Sequence, residues 1–337
     1  MTALVNRQWL LARRPSGLVS EADFKWNEAA VPELADGQVL VRTLCLSCDP
    51  TQRGWMSIDT YLPKVELGEV MRSSGAGRVV ASKHPAFAAG QLVQGLVGWQ
   101  DYAVVAAGKP GALMPLPPGV PIETALGALG ITGITAYFGL IDVGKAKPGE
   151  TVVVSGAAGA TGSMVAQIGK ILGCRVVGIA GGADKCRYLT TELGLDAAID
   201  YKSEDLAERL GETCPKGIDV YFDNVGGDIL DAALGKLAMR GRVVICGAIS
   251  RYNEAAPGPG PKNYMNLLLK RGRMEGFIVL DYLPRVAEAI LPMAGWLAQG
   301  KLKDRVDVQV GLERAPAALA RLFLGQNEGK QLVRVAE

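Results

Sequence analysis

TVVVSGAAGATGSMVAQIGKILGCRVVGIAG, residues 151–181, is the stretch that decides how this chain folds. It opens with a short β-branched run, Thr151 to Gly156, and closes with another, Arg175 to Gly181. Between them, from about Thr161 to Gly173, the apolar residues recur at helical spacing. Strand, turn, helix and strand follow one another without a long loop, the signature of parallel strands joined by a helical crossover.

The pattern continues downstream in LDAAID (195–200), GIDVYFDNVGG (217–227), GRVVICGAIS (241–250) and RMEGFIV (273–279), separated by segments of helix length. Such runs are almost continuously apolar because strands of a parallel sheet covered on both faces bury both sets of side chains. The first 120 residues read differently. GQVLVRTLCLS (37–47), GAGRVVAS (75–82), QLVQGLVG (91–98) and DYAVVAA (101–107) are strands divided by Gly, Pro and Asp with little helical periodicity. Two further strand-like pieces, VDVQVG (306–311) and KQLVRVA (330–336), flank an apolar helix near Ala315 to Leu324 and return to this β-rich part. The expected architecture is α/β. A doubly wound parallel-sheet domain spans 125–304, and a mostly-β domain is assembled from 1–124 and 305–337. The Pro/Gly-rich NEAAPGPGPKNY (253–264) is either a surface connection or a stiff loop over a pocket.

At 337 residues the chain is long for one core and comfortable for two. Hydrophobic residues make up 49% and charged residues 21%, and no apolar run approaches the roughly 20 residues of a membrane helix. A soluble, cytoplasmic protein without a signal peptide is expected. The net charge of +2 is spread along the chain, which argues against a nucleic-acid partner. Cys45-x-x-Cys48 is the one suggestive cysteine spacing, but a zinc site would want a second pair or histidines, and His84 is the sole histidine. No metal is expected, and the thiol pair reads as packed.

The glycine turn has the phase Ala157-x-Gly159-x-x-Gly162, with an extra glycine at 156. Gly159 carries no side chain to hold the backbone away from a pyrophosphate, and Gly162 lets the helix lie close. Ala166, Gly169 and Gly173 form a small-residue stripe suited to close packing. The helix start would offer unpaired N–H groups to an anion. The alternative is a tight turn with no ligand. A carboxylate at the tip of the second strand would select NAD. Here the tip reads Ala180, Gly181, Gly182, and Lys185 can supply an ammonium to a 2′-phosphate, favouring NADPH. Asp184 either turns inward or caps the helix that follows.

LSCDPTQRGWM, GEVMRSSGAGRVV, GWQDYAVV, VSGAAGATGSMVAQIGK, YFDNVGG, CGAISRYN and GQNEGK together resemble the zinc-free medium-chain dehydrogenase/reductases. The likeness is closest to the group of prostaglandin, alkenal double-bond and curcumin reductases. It implies a GroES-like β domain, a Rossmann domain, a homodimer, NADPH, and reduction of the carbon–carbon double bond of small α,β-unsaturated aldehydes and ketones. Carried over by motif, Gly159, Ala160, Thr161, Gly162 and Ser163 would meet the pyrophosphate. Lys185 and Tyr201 would meet the adenosine end. Asn224, the segment Cys246, Gly247, Ala248, Ile249, Ser250 and Tyr252, and the backbone of Phe277, Ile278 and Val279 would meet the nicotinamide half. Asn327 would close over the cofactor. An edge near Arg271 to Val279 would join two copies.

The resemblance makes Tyr252 the first choice of donor to an enolate oxygen, with a pocket wall as its other reading, and Tyr61 the second. Asp49 and Arg53 read as a structural pair or cap. Thr51 and Gln52 stand where the group often has Tyr and Met, residues that would line the substrate space. Two other functions remain open on the sequence: a quinone reductase of the same superfamily, and a non-catalytic NADPH-binding protein.

Overall fold

The computed structural model describes residues 4–108, 112–254, 256 and 258–337. The Pro/Gly-rich segment 253–264 therefore falls partly outside the described residues. The chain divides into two compact units, one from Met1–Leu126, Tyr252–Ala255 and Val306–Glu337, the other from Gly127–Arg251 and Ala256–Arg305.

The first unit begins with a hairpin, β1 (Val5–Leu11) and β2 (Phe24–Ala30), paired antiparallel. It continues through β3 (Gln38–Ser47), α1 (Thr51–Trp55), β4 (Ser74–Ser82), β5 (Leu92–Leu96), β6 (Tyr102–Ala106), β7 (Leu113–Pro115) and α2 (Ile122–Leu126). The second unit holds α3 (Ile131–Phe138), β8 (Thr151–Ser155), α4 (Ala160–Ile171), β9 (Arg175–Ala180), α5 (Ala183–Arg187), β10 (Ala197–Asp200), α6 (Leu206–Thr213) and β11 (Ile218–Asp223). It is completed by α7 (Gly227–Gly235), β12 (Leu237–Ile245), α8 (Met265–Lys270), β13 (Arg273–Gly276) and α9 (Val286–Ala298). The chain then returns to the first unit as β14 (Val306–Val310), α10 (Ala315–Phe323) and β15 (Lys330–Arg334).

In the first unit β14, β15, β3, β4, β5 and β7 form one seven-stranded sheet together with β6, which pairs with β3. The C-terminal segment is built into this sheet: β15 pairs antiparallel with β3, Leu332 opposite Ser47. Its core packs Trp9, Leu11, Phe24 and Trp99 with Leu312, Leu319 and Val333.

The second unit is a six-stranded sheet in the order β10-β9-β8-β11-β12-β13 with every neighbour parallel. Counted within the unit, that is the order 3-2-1-4-5-6 of a doubly wound sheet, which reverses direction between β8 and β11. The apolar runs have the expected cause. Val152 and Val154 enter one core with Phe138, Val165, Ile168 and Phe222, while Val153 enters the core on the other face with Val177, Ile199, Tyr221 and Leu234. Gly169 lets α4 approach the sheet, since a Cβ there would stand 3.0 Å from Val176. Gly173 is not part of that packing stripe: it lies past the end of α4 at φ +80°, the left-handed residue that ends the helix. Among the described residues no helix is long and apolar enough to cross a membrane.

Candidate functional site

A parallel sheet collects its loops at the carboxyl ends of the strands, and that edge holds nearly every candidate residue of the second unit. The turn after β8 is the tightest. Gly156 takes φ +59°, its carbonyl accepts the Gly159 N–H at 2.9 Å, and the Ala157 N–H ties the turn to Ile179 of β9 at 3.0 Å. Gly159 is the extended N-cap of α4, followed by Ala160, Thr161 and Gly162 in the first turn. A Cβ on Gly162 would lie 2.2 Å from the Gly156 carbonyl oxygen, so any other residue here must push the backbone apart; at Gly159 the same contact is 3.2 Å. Gly159 therefore leaves a surface that a ligand can approach, and the first N–H groups of α4 lack acceptors within the helix. Ser163 differs from its neighbours: its N–H donates to Gly159 O, and its hydroxyl donates to Ala160 O at 3.2 Å.

At the end of β9, the carboxylate of Asp200 at the tip of β10 reaches back across the turn. Its Oδ1 accepts the N–H groups of Gly182 (2.8 Å) and Lys202 (3.1 Å), and its Oδ2 accepts the Ser203 hydroxyl (2.9 Å). The Gly182 bond in particular holds this carboxyl below its ordinary range. The Tyr201 ring and the Lys202 stem cover Gly181 so closely that a Cβ there would stand 2.9 Å from each. Gly182 caps α5, so Asp184 is not the cap; it sits in the first turn and pairs with Arg187. Lys185, half-buried, lies on α5. The carboxylates of this corner are thus engaged with the chain itself, while Tyr201 and the basic residues Lys185 and Lys202 surround the turn.

The β8/β11 switch point is closed by Asn224. Its side-chain amide donates to Ser155 O at 2.7 Å and its backbone N–H donates to Ser155 Oγ at 2.9 Å. Beneath it lies Asp223, 1% exposed, whose Oδ1 accepts Tyr221 OH (2.9 Å), Ser155 Oγ (3.0 Å) and the N–H groups of Val225 (3.1 Å) and Gly226 (2.9 Å). Burial raises this carboxyl above its usual value despite those bonds. The segment after β12 is zipped onto the same place. Cys246 and Gly247 donate to Asp223 O, Ile249 to Asn224 O and Ser250 to Val225 O, with the Ser250 hydroxyl adding a 2.6 Å bond to Val225 O. Burial pushes the Cys246 thiol up to about 12, so it is protonated at neutral pH. After β13, the Phe277 ring turns inward against Phe222 and Tyr282, leaving the backbone of Phe277, Ile278 and Val279 at the strand end.

Asp223 and Ser155, which build this floor, and Asp200 were not singled out from the sequence; Asp223 stood inside the FDNVGG block beside the Asn that was.

The other candidates belong to the first unit. Tyr252 is half-buried, one residue beyond the short turn Ile249–Arg251. Asn327 is 8% exposed, its amide donating to Gly329 O at 2.9 Å. Tyr61 is 43% exposed and its hydroxyl lies 2.9 Å from Thr51 Oγ1. Gln52 does not line open space: 1% exposed, it accepts the Asp49 N–H and donates to Arg72 O. Asp49 and Arg53 are not a pair. Asp49 receives Lys330 Nζ at 2.5 Å, whereas the Arg53 guanidinium donates to Pro15 O, Gly17 O and Ser57 Oγ. Cys45 and Cys48 are buried, the Cys45 thiol pushed up to about 12 by desolvation. Half-buried His84 accepts the Ala86 N–H. Among the described residues no group of three or more His, Cys, Asp or Glu is placed to hold a metal ion.

Residues 7–113 match the family described as the N-terminal domain of oxidoreductase, and residues 160–294 the family described as zinc-binding dehydrogenase. The chain is 44% identical over 337 residues to the NADPH-dependent curcumin reductase of Escherichia coli, covering 98% of this chain and 97% of that one. It is 40% identical over 342 residues to the NADP(+)-dependent 2-alkenal reductase of Nicotiana tabacum, covering 98% of each. The crystal structure of CurA from Vibrio vulnificus in complex with NADPH superposes with a TM-score of 0.92 at 42% identity, covering 98% of this chain and 99% of that one. The chain belongs to the zinc-free medium-chain dehydrogenase/reductases. Within that family it falls in the group of the curcumin, prostaglandin and alkenal reductases. In this dehydrogenase/reductase the doubly wound unit carries the glycine turn, and the β-rich unit carries Tyr61, Tyr252 and Asn327.

Proposed function

We propose that the chain is an NADPH-dependent reductase of the carbon–carbon double bond of α,β-unsaturated aldehydes and ketones. The observation that carries this reading is the carboxyl edge of the second unit. An open glycine cradle at Gly159 and a β9 turn whose neighbouring carboxylates are already bonded suit a dinucleotide bearing a 2′-phosphate. The names of the relatives and the NADPH bound to CurA support the same choice.

In this reading the backbone of Gly159 to Gly162 holds the pyrophosphate, with Ser163 stiffening the helix start. Lys185 and Tyr201 recognise the adenosine 2′-phosphate. A charged hydrogen bond of this kind contributes about 1.5 to 3 kcal/mol, tenfold or more in preference over NADH. Asn224, the 246–250 segment and the backbone of Phe277 to Val279 orient the nicotinamide half, and Asn327 is a further contact to the cofactor. NADPH, when bound, supplies the hydride. Addition at the β-carbon leaves enolate charge on the carbonyl oxygen, and a phenol O–H, first Tyr252 and second Tyr61, stabilises it until the α-carbon is protonated. The protonated Cys246 thiol is a wall and not a nucleophile. The working form is a cytoplasmic homodimer joined along the β13 edge, where Met274 is exposed, as are Leu268 and Leu269 on the preceding α8; a monomeric mass in light scattering at micromolar concentration would remove that part.

The deciding experiment follows NADPH absorbance with a 2-alkenal, an aryl enone, a quinone and a saturated aldehyde, with NADH in parallel. Consumption with the alkenal or enone and a saturated carbonyl product is expected. Consumption with the quinone alone would make the enzyme a quinone reductase, and binding of NADPH without turnover on any compound would make it a cofactor-binding protein.

A further inference from the structure

The tip of β9 is where a doubly wound sheet distinguishes its two dinucleotides: a carboxylate there takes the ribose 2′-hydroxyl, and a cation there accommodates a 2′-phosphate. The neighbouring strand β10 ends in register with it, Asp200 opposite Ala180, so the turn after Asp200 lies beside Gly181 and Gly182. That turn is closed on itself. The Ser203 and Glu204 N–H groups donate to Asp200 O (3.1 and 3.0 Å), the Lys202 N–H donates to Asp200 Oδ1 (3.1 Å), and the Tyr201 N–H donates to Ala180 O (3.2 Å). Lys202 is therefore held at two points. Its backbone is tied to Asp200, and its stem folds over Gly181, where a Cβ would stand 2.9 Å from Lys202 Cε. The ammonium is one bond beyond that carbon. It helps, after the Gly182 N–H, to keep the Asp200 carboxyl ionised, but among the described residues no hydrogen bond or ion pair engages it.

We infer that Lys202 is a second specificity-determining cation for the adenosine 2′-phosphate, acting beside Lys185. This rests on the NADPH reading above. The charges of the corner give an independent reason for a second cation. Asp184 pairs with Arg187 and Glu204 with Arg209, which leaves Asp200 as the carboxylate bonded into the turn itself. A phosphate monoester brings about −1.5 to −2 charges at neutral pH and would enter beside that carboxylate. One ammonium, from Lys185, leaves the two anions far from balanced. The Lys202 ammonium, carried over Gly181 by a stem already in place, supplies the next charge without a rearrangement of the chain.

The test is calorimetric titration of wild type, Lys202→Gln, Lys202→Arg and Lys202→Glu with adenosine 2′,5′-bisphosphate and with adenosine 5′-monophosphate, which differ by the 2′-phosphate alone. Glutamine keeps part of the stem over Gly181 and removes the charge. Lys202→Gln is expected to weaken the bisphosphate about tenfold, the size of a charged hydrogen bond, and the monophosphate less than twofold. Lys202→Arg should stay close to wild type, and Lys202→Glu should lose more than Lys202→Gln. Because Lys202 is exposed, the gap between wild type and Lys202→Gln should narrow as salt rises from about 50 mM to about 500 mM. An equal loss for both nucleotides, a loss that salt does not change, or full bisphosphate affinity in Lys202→Gln would overturn the inference and leave the side chain as cover for Gly181. A wild-type chain that binds the two nucleotides equally refutes the NADPH reading and the role of Lys202 with it. A wild-type chain that discriminates between them, with Lys202→Gln discriminating as well, refutes the inference alone.

Discussion

Two alanine substitutions, three residues apart, separate what the glycine turn does for the fold from what it does for the cofactor. A methyl on Gly162 would sit 2.2 Å from the Gly156 carbonyl oxygen, 2.8 Å from its carbon and 2.9 Å from Ala157 Cα. All three are backbone, and ordinary contact begins at 3.4 Å, so the turn or the helix start must move by about 1 Å. Overpacking of this kind typically costs about 1 to 3 kcal/mol. At about 2 to 4 °C per kcal/mol for a domain of this size, Gly162→Ala should lower the melting temperature by roughly 2 to 12 °C. A methyl on Gly159 meets only the Gly156 oxygen at 3.2 Å, and the residue's φ of −83° and ψ of 178° suit alanine. Gly159→Ala should therefore melt within a few degrees of wild type without ligand. If the open face of Gly159 is where the pyrophosphate lies, the same methyl intrudes on it, and NADPH affinity should fall at least tenfold. Ligand at 100 times Kd stabilises the folded chain by about 2.7 kcal/mol, of which Gly159→Ala should lose about half or more at the same NADPH concentration. Melting curves with and without NADPH, together with a calorimetric titration, measure both effects. Gly159→Ala with wild-type NADPH affinity would refute the assignment of this turn to the pyrophosphate.

The remaining predictions concern charges. Asp200 has its carboxyl held below the ordinary value by the Gly182 N–H, so the stabilisation it gives is present above about pH 4 and is lost as pH falls through the lowered folded value; urea melts should show a steeper loss between about pH 4 and pH 2 in wild type than in Asp200→Asn. Lys330 is 3% exposed at its side chain and pairs with Asp49 at 2.5 Å, so Lys330→Ala removes a charged hydrogen bond from a carboxylate that is 21% exposed and should cost about 1.5 to 3 kcal/mol in denaturant unfolding. Lys185→Ala should narrow the NADPH-to-NADH preference in kcat/KM by about tenfold, with little change in melting temperature; an unaltered preference would place 2′-phosphate recognition on other residues.

What could be read from the chain and what could not divide along a physical line. Strands β8, β9 and β11 announce themselves because burial on both faces demands apolar residues at consecutive positions, and Val152, Val153 and Val154 are all fully buried. The glycine turn is legible because its backbone geometry excludes side chains, a requirement that one residue type meets. Partners distant in sequence leave no such mark. Spacing along the chain matches Asp49 to Arg53 four positions on, yet the register of β15 against β3, with Leu332 opposite Ser47, carries Lys330 alongside Asp49 instead. Gln52, in a block whose departure suggested an altered substrate wall, turned out to be bonded to the backbone at Asp49 and Arg72.

The same physics leaves Asp223 without a signature in the sequence, although its neighbour Asn224 has one. An aspartate at the end of a buried strand has no local cue to tell it from a solvated one, because its four donors come from Ser155 on β8, Tyr221 on its own strand, and the turn at Val225 and Gly226. Its charge is disfavoured by burial and sustained only by those donors. The carboxylate nonetheless fixes the β11 turn, and the Asp223 carbonyl anchors the segment from Cys246. A surface that is to hold a cofactor must be rigid before the cofactor arrives, and here rigidity comes from a buried carboxyl whose Oδ1 gathers four hydrogen bonds. Ser155 links that carboxyl to Asn224, and the backbone carbonyls of Asp223, Asn224 and Val225 hold the 246–250 segment. The recognisable motif is therefore the outer layer of the site, and the residue that gives it its shape lies one position inward.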